Sequence, residues 1–135
     1  MTSIEGSGVF DHLSLGVANL DASVALYDAA LAPLGLVRLW LTPRAAGYGP
    51  PGFTGEAPFA LVVPRERCAG ASRAFHLAFR APDRASVQSF HQAALGAGAL
   101  DDGPPGIREN YGPGYYAAFV VDFDGHRIEA VVHEG

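Results

Sequence analysis

The sequence has few of the groups that support a disulfide framework or a nucleic-acid contact. Its single cysteine, Cys68, excludes a disulfide within the chain, and we therefore expect a reducing, cytoplasmic environment and assign Cys68 no role. Only nine lysine and arginine residues, scattered along the chain, stand against fourteen acidic ones, and the formal net charge is -5. This distribution argues against nucleic acid and against an anionic membrane surface as partners.

Long apolar runs are also missing. No run approaches the roughly 20 residues needed to span a bilayer, and no N-terminal stretch combines a basic region with a long apolar segment, as an export signal would. We expect a protein that is neither exported nor inserted in a membrane. Its 135 residues, 49% of them hydrophobic, suffice for a single domain with a buried core. Ten prolines and seventeen glycines favour a sheet protein with many turns.

The chain contains an internal repeat of a strand followed by a helix. The two copies are separated by 63 to 64 residues, and they read His12-Leu-Ser-Leu, Ala22-Ser-Val, Tyr27 and Ala29-Ala-Leu in the first and His76-Leu-Ala-Phe, Ala85-Ser-Val, Phe90 and Ala93-Ala-Leu in the second. A fixed offset over a whole unit indicates duplication. We therefore predict two modules, at about residues 8–66 and 73–135, within one domain.

Each copy predicts the same local structure. Apolar strands at 10–17 and 75–81 precede helices that start at Asn19 and at Pro82-Asp83, which are typical helix-start residues. Further strands are predicted at 36–42, 58–63, 115–122 and 126–133, the last two joined by an Asp124-Gly125 turn. Two stretches rich in glycine and proline, 43–55 and 103–114, are interpreted as functional loops. The fold class is α+β, with a repeated βαβββ module.

Three polar residues interrupt apolar strands. Glu129 lies in Arg-Ile-Glu-Ala-Val-Val-His, where an unpartnered buried carboxylate would cost several kcal/mol. His12 and His76 open equivalent strands of the two copies, so pseudo-symmetry predicts that they approach each other. Two histidines and one carboxylate suit a first-row divalent ion and leave positions open for substrate. A single histidine is more often a core or rim residue, and a degenerate, metal-free cavity is the alternative interpretation.

Residues 103–116 concentrate polar side chains suited to substrate contact. Arg108 can grip a carboxylate or phosphate. Tyr111 and Tyr116 are candidates for proton transfer, and the substrate-binding candidates are Arg108, Asn110, Tyr115 and, from the other loop, Tyr48. The alternative is that Arg108 pairs with a surface acid and the tyrosines only pack. Trp40 is interpreted as a core residue, and His91 and His126 as surface residues.

The pattern resembles the vicinal-oxygen-chelate superfamily of glyoxalase I, bleomycin-resistance proteins and extradiol dioxygenases. The residues that carry the resemblance are His12-Leu-Ser-Leu-Gly-Val, Tyr27 with Leu34-Gly35-Leu36, His76-Leu-Ala-Phe, and Phe119-Val-Val-Asp-Phe-Asp-Gly-His-Arg-Ile-Glu129. The resemblance implies a U-shaped mixed sheet with helices on its outer face, and one divalent ion (Fe, Mn, Ni, Co or Zn) held by His12, His76 and Glu129. Ala60 falls closest to the place of the fourth glyoxalase I ligand.

Two functions follow from this resemblance. The first is a metalloenzyme, acting as a lyase, isomerase or ring-cleaving dioxygenase on a small substrate chelated through neighbouring oxygens. The second is a metal-free binding protein of the bleomycin-resistance kind, which sequesters an aromatic or cationic molecule. A single module has exposed sheet edges and half a cavity, so we also expect pairing of modules and a homodimer.

Overall fold

The computed structural model describes residues 9–66, 72 and 74–134. Cys68 lies outside the described residues. The first module consists of β1 (Leu13–Gly16), α1 (Leu20–Leu31), β2 (Val37–Leu41), β3 (Ala45–Gly49) and β4 (Phe59–Val62). The second consists of β5 (His76–Arg80), α2 (Arg84–Gly96), β6 (Leu100–Ile107), β7 (Tyr115–Val121) and β8 (Arg127–His133). The predicted repetition of one βαβββ unit is confirmed.

Each module forms its own four-stranded mixed sheet. The strand orders are β1-β4-β3-β2 and β5-β8-β7-β6. In each sheet the first and last strands of the module pair in parallel, and the remaining pairs are antiparallel. The α+β class is thus confirmed, and backbone hydrogen bonding divides the predicted mixed sheet into two sheets of equivalent topology.

Both helices begin where the sequence predicts. The side chain of Asn19 accepts a hydrogen bond from the Ala22 amide at 3.0 Å, and that of Asp83 accepts one from the Ser86 amide at 2.8 Å. These contacts satisfy amides that have no partner within the first helical turn. A short 3-10 turn extends α1, and Gly35 follows it with a φ of 84°, a left-handed conformation that favours glycine.

The core lies where the helices cover one face of each sheet. Its residues form a single cluster drawn from both modules. Phe59 of β4 meets Phe79 of β5 edge to face, with ring centroids 5.1 Å apart, so the aromatic packing continues from one module into the other. The two helices also contact each other. No helix in the described part of the chain is long and apolar enough to cross a membrane.

A buried polar network also links the modules, and the sequence interpretation missed it. The Tyr27 hydroxyl of α1 donates to Asp122 Oδ2 at 2.7 Å, and His126 Nδ1 lies 2.8 Å from the same oxygen. His126 is 6% exposed, and His91 is 9% exposed with its Nε2 3.0 Å from Asp101 Oδ1. The interpretation of both histidines as surface residues is therefore wrong, because each has a carboxylate partner that makes burial tolerable.

Each of the two stretches that were interpreted as loops contains five strand residues. β3 lies within 43–55, and β6 extends into 103–114. A Cβ added to Gly47 would lie 2.3 Å from Trp40 Cε2, so this glycine makes room for the indole, which is 38% exposed rather than in the core. β6 is an edge strand with irregular register around Gly103 and Gly106, where prolines without an amide hydrogen are tolerated.

Candidate functional site

The candidate site lies on the face of the second sheet that the helices leave open. Side chains alternate along strands, so residues that pair directly across the sheet share a face. Glu129 pairs with Ala78 on one side and Phe119 on the other, and His76 pairs with Arg127. Tyr116 points the other way, because its hydroxyl accepts a hydrogen bond from Gln88 of α2 at 2.9 Å.

Glu129 is the central residue of this face. Its side chain is 1% exposed, and His76 Nε2 lies 2.6 Å from its Oε1. The Tyr115 hydroxyl donates to Oε2 at 2.5 Å. Burial, together with the hydrogen bond to Glu129 and its charge, raises the pKa of Tyr115, so the phenol stays protonated as a donor. The carboxylate is thus compensated by two side chains on neighbouring strands.

An open cavity of about 360 Å³ lies beside this cluster. Its lining is polar, and it includes two guanidinium groups and one carboxylate. The lining residues are Ala74, His76, Asp102, Gly103, Arg108, Asn110, Tyr111, Phe119 and Arg127. The structure therefore brings three of the predicted substrate-contacting residues, Arg108, Asn110 and Tyr111, to the same cavity as His76.

The remaining predicted residues lie in two settings. Tyr115 belongs to the cluster, since it holds Glu129 and its ring packs against Tyr111 with centroids 5.2 Å apart. The structure does not bring Tyr48 to the cavity: it is fully buried in β3 and donates to Asp28 Oδ1 at 2.8 Å. Tyr116, packed against α2, is likewise absent from the cavity lining.

His12 lies apart from the other two predicted metal ligands. Its side chain is 48% exposed, and its Nδ1 lies 2.7 Å from Asp11 Oδ1, a hydrogen bond that raises the pKa of His12. Across residues 9–66, 72 and 74–134, no three His, Cys, Asp or Glu side chains are grouped closely enough to hold a metal ion. Within one chain, therefore, only His76 and Glu129 of the predicted set come together.

The donor pair is chemically suited to a divalent ion, but it is incomplete. Imidazole nitrogen and carboxylate oxygen are the ligands that first-row divalent metals accept. Tyr115 donates to one oxygen of Glu129, and the other oxygen meets His76 Nε2, so this oxygen and this imidazole are placed to bind the same ion. In the first sheet, Ala60 stands at the position equivalent to Glu129, so that sheet adds no second carboxylate there. Two ligands fit, and a third must come from elsewhere.

Sequence reasoning missed Phe119, Arg127 and Asp102. The first two had a readable signal: Arg127 is two residues before Glu129 on the same strand, and the Asp124-Gly125 turn sets Phe119 opposite Glu129. Asp102 pairs with Arg127, with Oδ2 3.1 Å from Nε. The position of Asp102 depends on register shifts in β6, which no sequence pattern predicts.

No family model and no curated protein matches the sequence. Solved structures do match. A glyoxalase/bleomycin resistance protein from Albidiferax ferrireducens T118 is 27% identical, with a TM-score of 0.81 over 94% of this chain and 100% of that one. A glyoxalase-related enzyme from Fulvimarina pelagi is 18% identical, with a TM-score of 0.71 over 91% and 86%. The fosfomycin resistance protein FosX from Mesorhizobium loti is 19% identical, with a TM-score of 0.64 over 95% and 93%.

Proposed function

Because the chain belongs by its fold to the vicinal-oxygen-chelate superfamily, we propose that it is a glyoxalase-like or dioxygenase-like metalloenzyme acting on a small substrate. The substrate would chelate the metal through two neighbouring oxygens. The observation that carries the proposal is the almost completely buried Glu129, whose Oε1 lies 2.6 Å from His76 Nε2 on the open face of the second sheet, so that both groups could bind one ion. Burying a carboxylate in this way carries a free-energy penalty, which favours a functional role for Glu129.

The third ligand in this proposal is His12 of a second copy of the chain. His12 directly precedes β1, as the repeat requires, but it does not meet His76 and Glu129 within one chain. β1 and β5 are edge strands of their sheets, and alternate residues along both are exposed. Unpaired strand edges and half-open faces favour association with another copy. A homodimer would bring the first module of one chain against the second module of the other.

In this arrangement each side chain has a distinct role. A divalent ion of the Fe, Mn, Ni, Co or Zn group, when bound, would polarise a substrate oxygen. Tyr115 would keep one Glu129 oxygen occupied, so that the carboxylate offers the other. Tyr111, 60% exposed at the cavity, would exchange a proton with substrate or water. Arg108 and Asn110 would bind polar groups of the substrate. The reaction class is isomerase, lyase or ring-cleaving dioxygenase.

Metal analysis of matched variants tests the proposal. We expect one equivalent of metal per chain in the purified protein, and loss of that metal in His12→Ala, His76→Ala and Glu129→Gln. Glu134→Gln and His133→Ala, which alter an acid and a histidine outside the proposed ligand set, should retain it. Oxygen uptake on catechols and a methylglyoxal–thiol assay then separate the dioxygenase from the glyoxalase reaction.

Mixing experiments test the shared site. His12→Ala and His76→Ala chains should each be empty alone, but a mixed dimer contains one intact site and should bind about half the metal of the unaltered protein. Metal binding by His12→Ala alone would remove His12 from the ligand set. Failure of the mixture to bind metal, when mixing of chains is shown by mass, would reject a site shared between copies.

A metal-free binding protein is the second candidate. The observation that favours it is that His76 and Tyr115 already satisfy Glu129 without an ion. The two arginines of the cavity oppose a cationic ligand there, and so favour a neutral or acidic one. Protein that takes up no metal, yet binds small molecules with an affinity unchanged by His76→Ala, would establish this candidate instead.

A further inference from the structure

The cavity has an excess of basic side chains in an acidic protein, since two arginines and one carboxylate, Asp102, line it. The chain has a net charge of -5, and all nine of its Lys and Arg residues are arginines. Two of them, Arg108 and Arg127, line this one cavity together with the polar amide of Asn110. Clustering of guanidinium groups in a concave site is the arrangement that recognises planar or tetrahedral oxyanions.

Arg108 is held in place by its own strand and loop. Its Nη2 donates to the Pro104 carbonyl at 2.5 Å, and its Cζ lies 5.4 Å from the centroid of the Phe119 ring. The guanidinium runs so close to the backbone that a Cβ on Gly106 would lie 2.9 Å from Nη1, and one on Gly103 3.2 Å from Nη2. These two glycines therefore leave the space in which the arginine lies.

Arg108 carries more N–H donors than its one described side-chain hydrogen bond uses. A guanidinium carries five N–H donors, and the one side-chain hydrogen bond recorded for Arg108 within the described residues goes to a neutral carbonyl. No ion pair joins it to a carboxylate in that part of the chain. The surface-acid alternative raised by the sequence is thus not what the structure shows, and Arg108 lines the open cavity.

The second guanidinium lies closer to the Glu129 cluster. Arg127 pairs across the sheet with His76, and its Nε lies 3.1 Å from Asp102 Oδ2. The Arg127 side chain is 52% exposed, so this ion pair is weak enough for a ligand to compete with Asp102. The ring of Phe119 contacts both Arg108 and His76, so Arg108 borders the same cavity wall as the Glu129 cluster.

We propose that Arg108, Arg127 and Asn110 form an oxyanion subsite, and that the ligand of this cavity is a small acid carrying a carboxylate, phosphate or phosphonate group. Arg108 is the main contact, and Arg127 and Asn110 complete it. That this acid is the substrate rests on the proposed function. Anion binding itself needs no metal. The cavity of about 360 Å³ limits the ligand to a small molecule whose acidic group lies near its chelating oxygens.

The test is titration of the chelator-treated full-length protein at low ionic strength. The probes are methylphosphonate and glycolate, with glycolamide as a neutral analogue, and the readouts are calorimetry and the ¹⁵N resonances of the arginine Nε groups. We expect one or both anions to bind with a shift of the Arg108 resonance, and glycolamide not to bind. The anion that binds more tightly identifies the acid class.

Variants decide which residues are responsible. Arg108→Gln should weaken anion binding about tenfold or more, whereas Arg38→Gln, in the first module, should leave it unchanged. Gly106→Ala removes no ligand group, but its Cβ would displace Arg108 and should weaken binding as well, with a folded thermal transition as control. Lack of anion binding, equal binding of glycolamide, or full affinity in Arg108→Gln would each overturn the proposal. Anion binding by a protein that takes up no metal would support the subsite and reject the metalloenzyme.

Discussion

Ala60 occupies in the first sheet the position that Glu129 occupies in the second. Ala60 pairs in parallel with Ser14, two residues after His12, and Glu129 pairs in parallel with Ala78, two residues after His76. The duplicated unit therefore retains a histidine in both copies but a carboxylate in one. Two modules facing each other would offer three ligands and leave space at Ala60.

Ala60→Glu should restore a second carboxylate. Ala60 is 7% exposed, so the metal-free variant should lose about 3 kcal/mol of unfolding free energy through burial of an unpaired charge. A divalent ion should offset part of that loss if the two modules face a common site. Urea unfolding with and without metal measures both effects, and Ala25→Glu, on the exposed side of α1, is the control. Equal loss with and without metal would contradict the prediction.

Tyr115→Phe should destabilise the protein by about 1.5–3 kcal/mol, because it leaves a buried carboxylate oxygen without its donor. Tyr111→Phe is the matched control: its ring is exposed and contacts Tyr115, and loss of its hydroxyl should change stability by less than about 0.5 kcal/mol. Chemical denaturation of both variants measures the difference. Equal stability of the two variants would mean that the Tyr115 hydroxyl does not support Glu129.

Acid should weaken the contact between the modules through Asp122. Burial alone would raise the pKa of Asp122, but hydrogen bonds from His126 and Tyr27 outweigh it and lower the pKa below its usual 3.8. The unfolded chain therefore binds the proton more readily than the folded one. The contribution of Asp122 to the unfolding free energy is present above about pH 4 and is lost as the pH drops through the folded-state pKa. Denaturation midpoints between pH 2 and 7 measure this decline.

Asp122→Asn should remove that part of the acid dependence and cost about 3 kcal/mol at neutral pH, because His126 loses its buried partner. Tyr27→Phe removes one of the two side-chain donors and should give a smaller loss at pH 7. A pH profile of Asp122→Asn that parallels the unaltered protein would show that other carboxylates govern the acid transition.

Gly47→Ala should displace the indole of Trp40. The added Cβ would meet three ring atoms within 2.6 Å, and overpacking of this kind costs about 1–3 kcal/mol. Trp40 is the one tryptophan in the chain, so its fluorescence emission should shift to longer wavelength as the ring becomes more exposed. Gly16→Ala, where a Cβ meets nothing within 4 Å, is the control. An unchanged spectrum would contradict the observed packing.

The fold could be predicted from the sequence where local chemistry determines it. Asn19 and Asp83 cap helices because their side chains reach amides within one turn, and Asp124-Gly125 closes a hairpin because glycine accepts its positive φ of 88°. The strands within 43–55 and 103–114 could not be predicted from the sequence. Their glycines make room for Trp40 and Arg108, side chains that come from elsewhere in the sheet or loop, and composition alone suggests loops for both.

For the candidate site, the sequence determined which residues are unusual, because a carboxylate in an apolar strand and a repeated histidine stand out without any coordinates. Tertiary structure decided which of them meet. His76 and Glu129 come together because β5 and β8 pair in parallel, and Tyr115 joins them across β7 and β8. His12 directly precedes β1 of the other sheet. How one sheet lies relative to the other is a long-range property that local sequence does not encode.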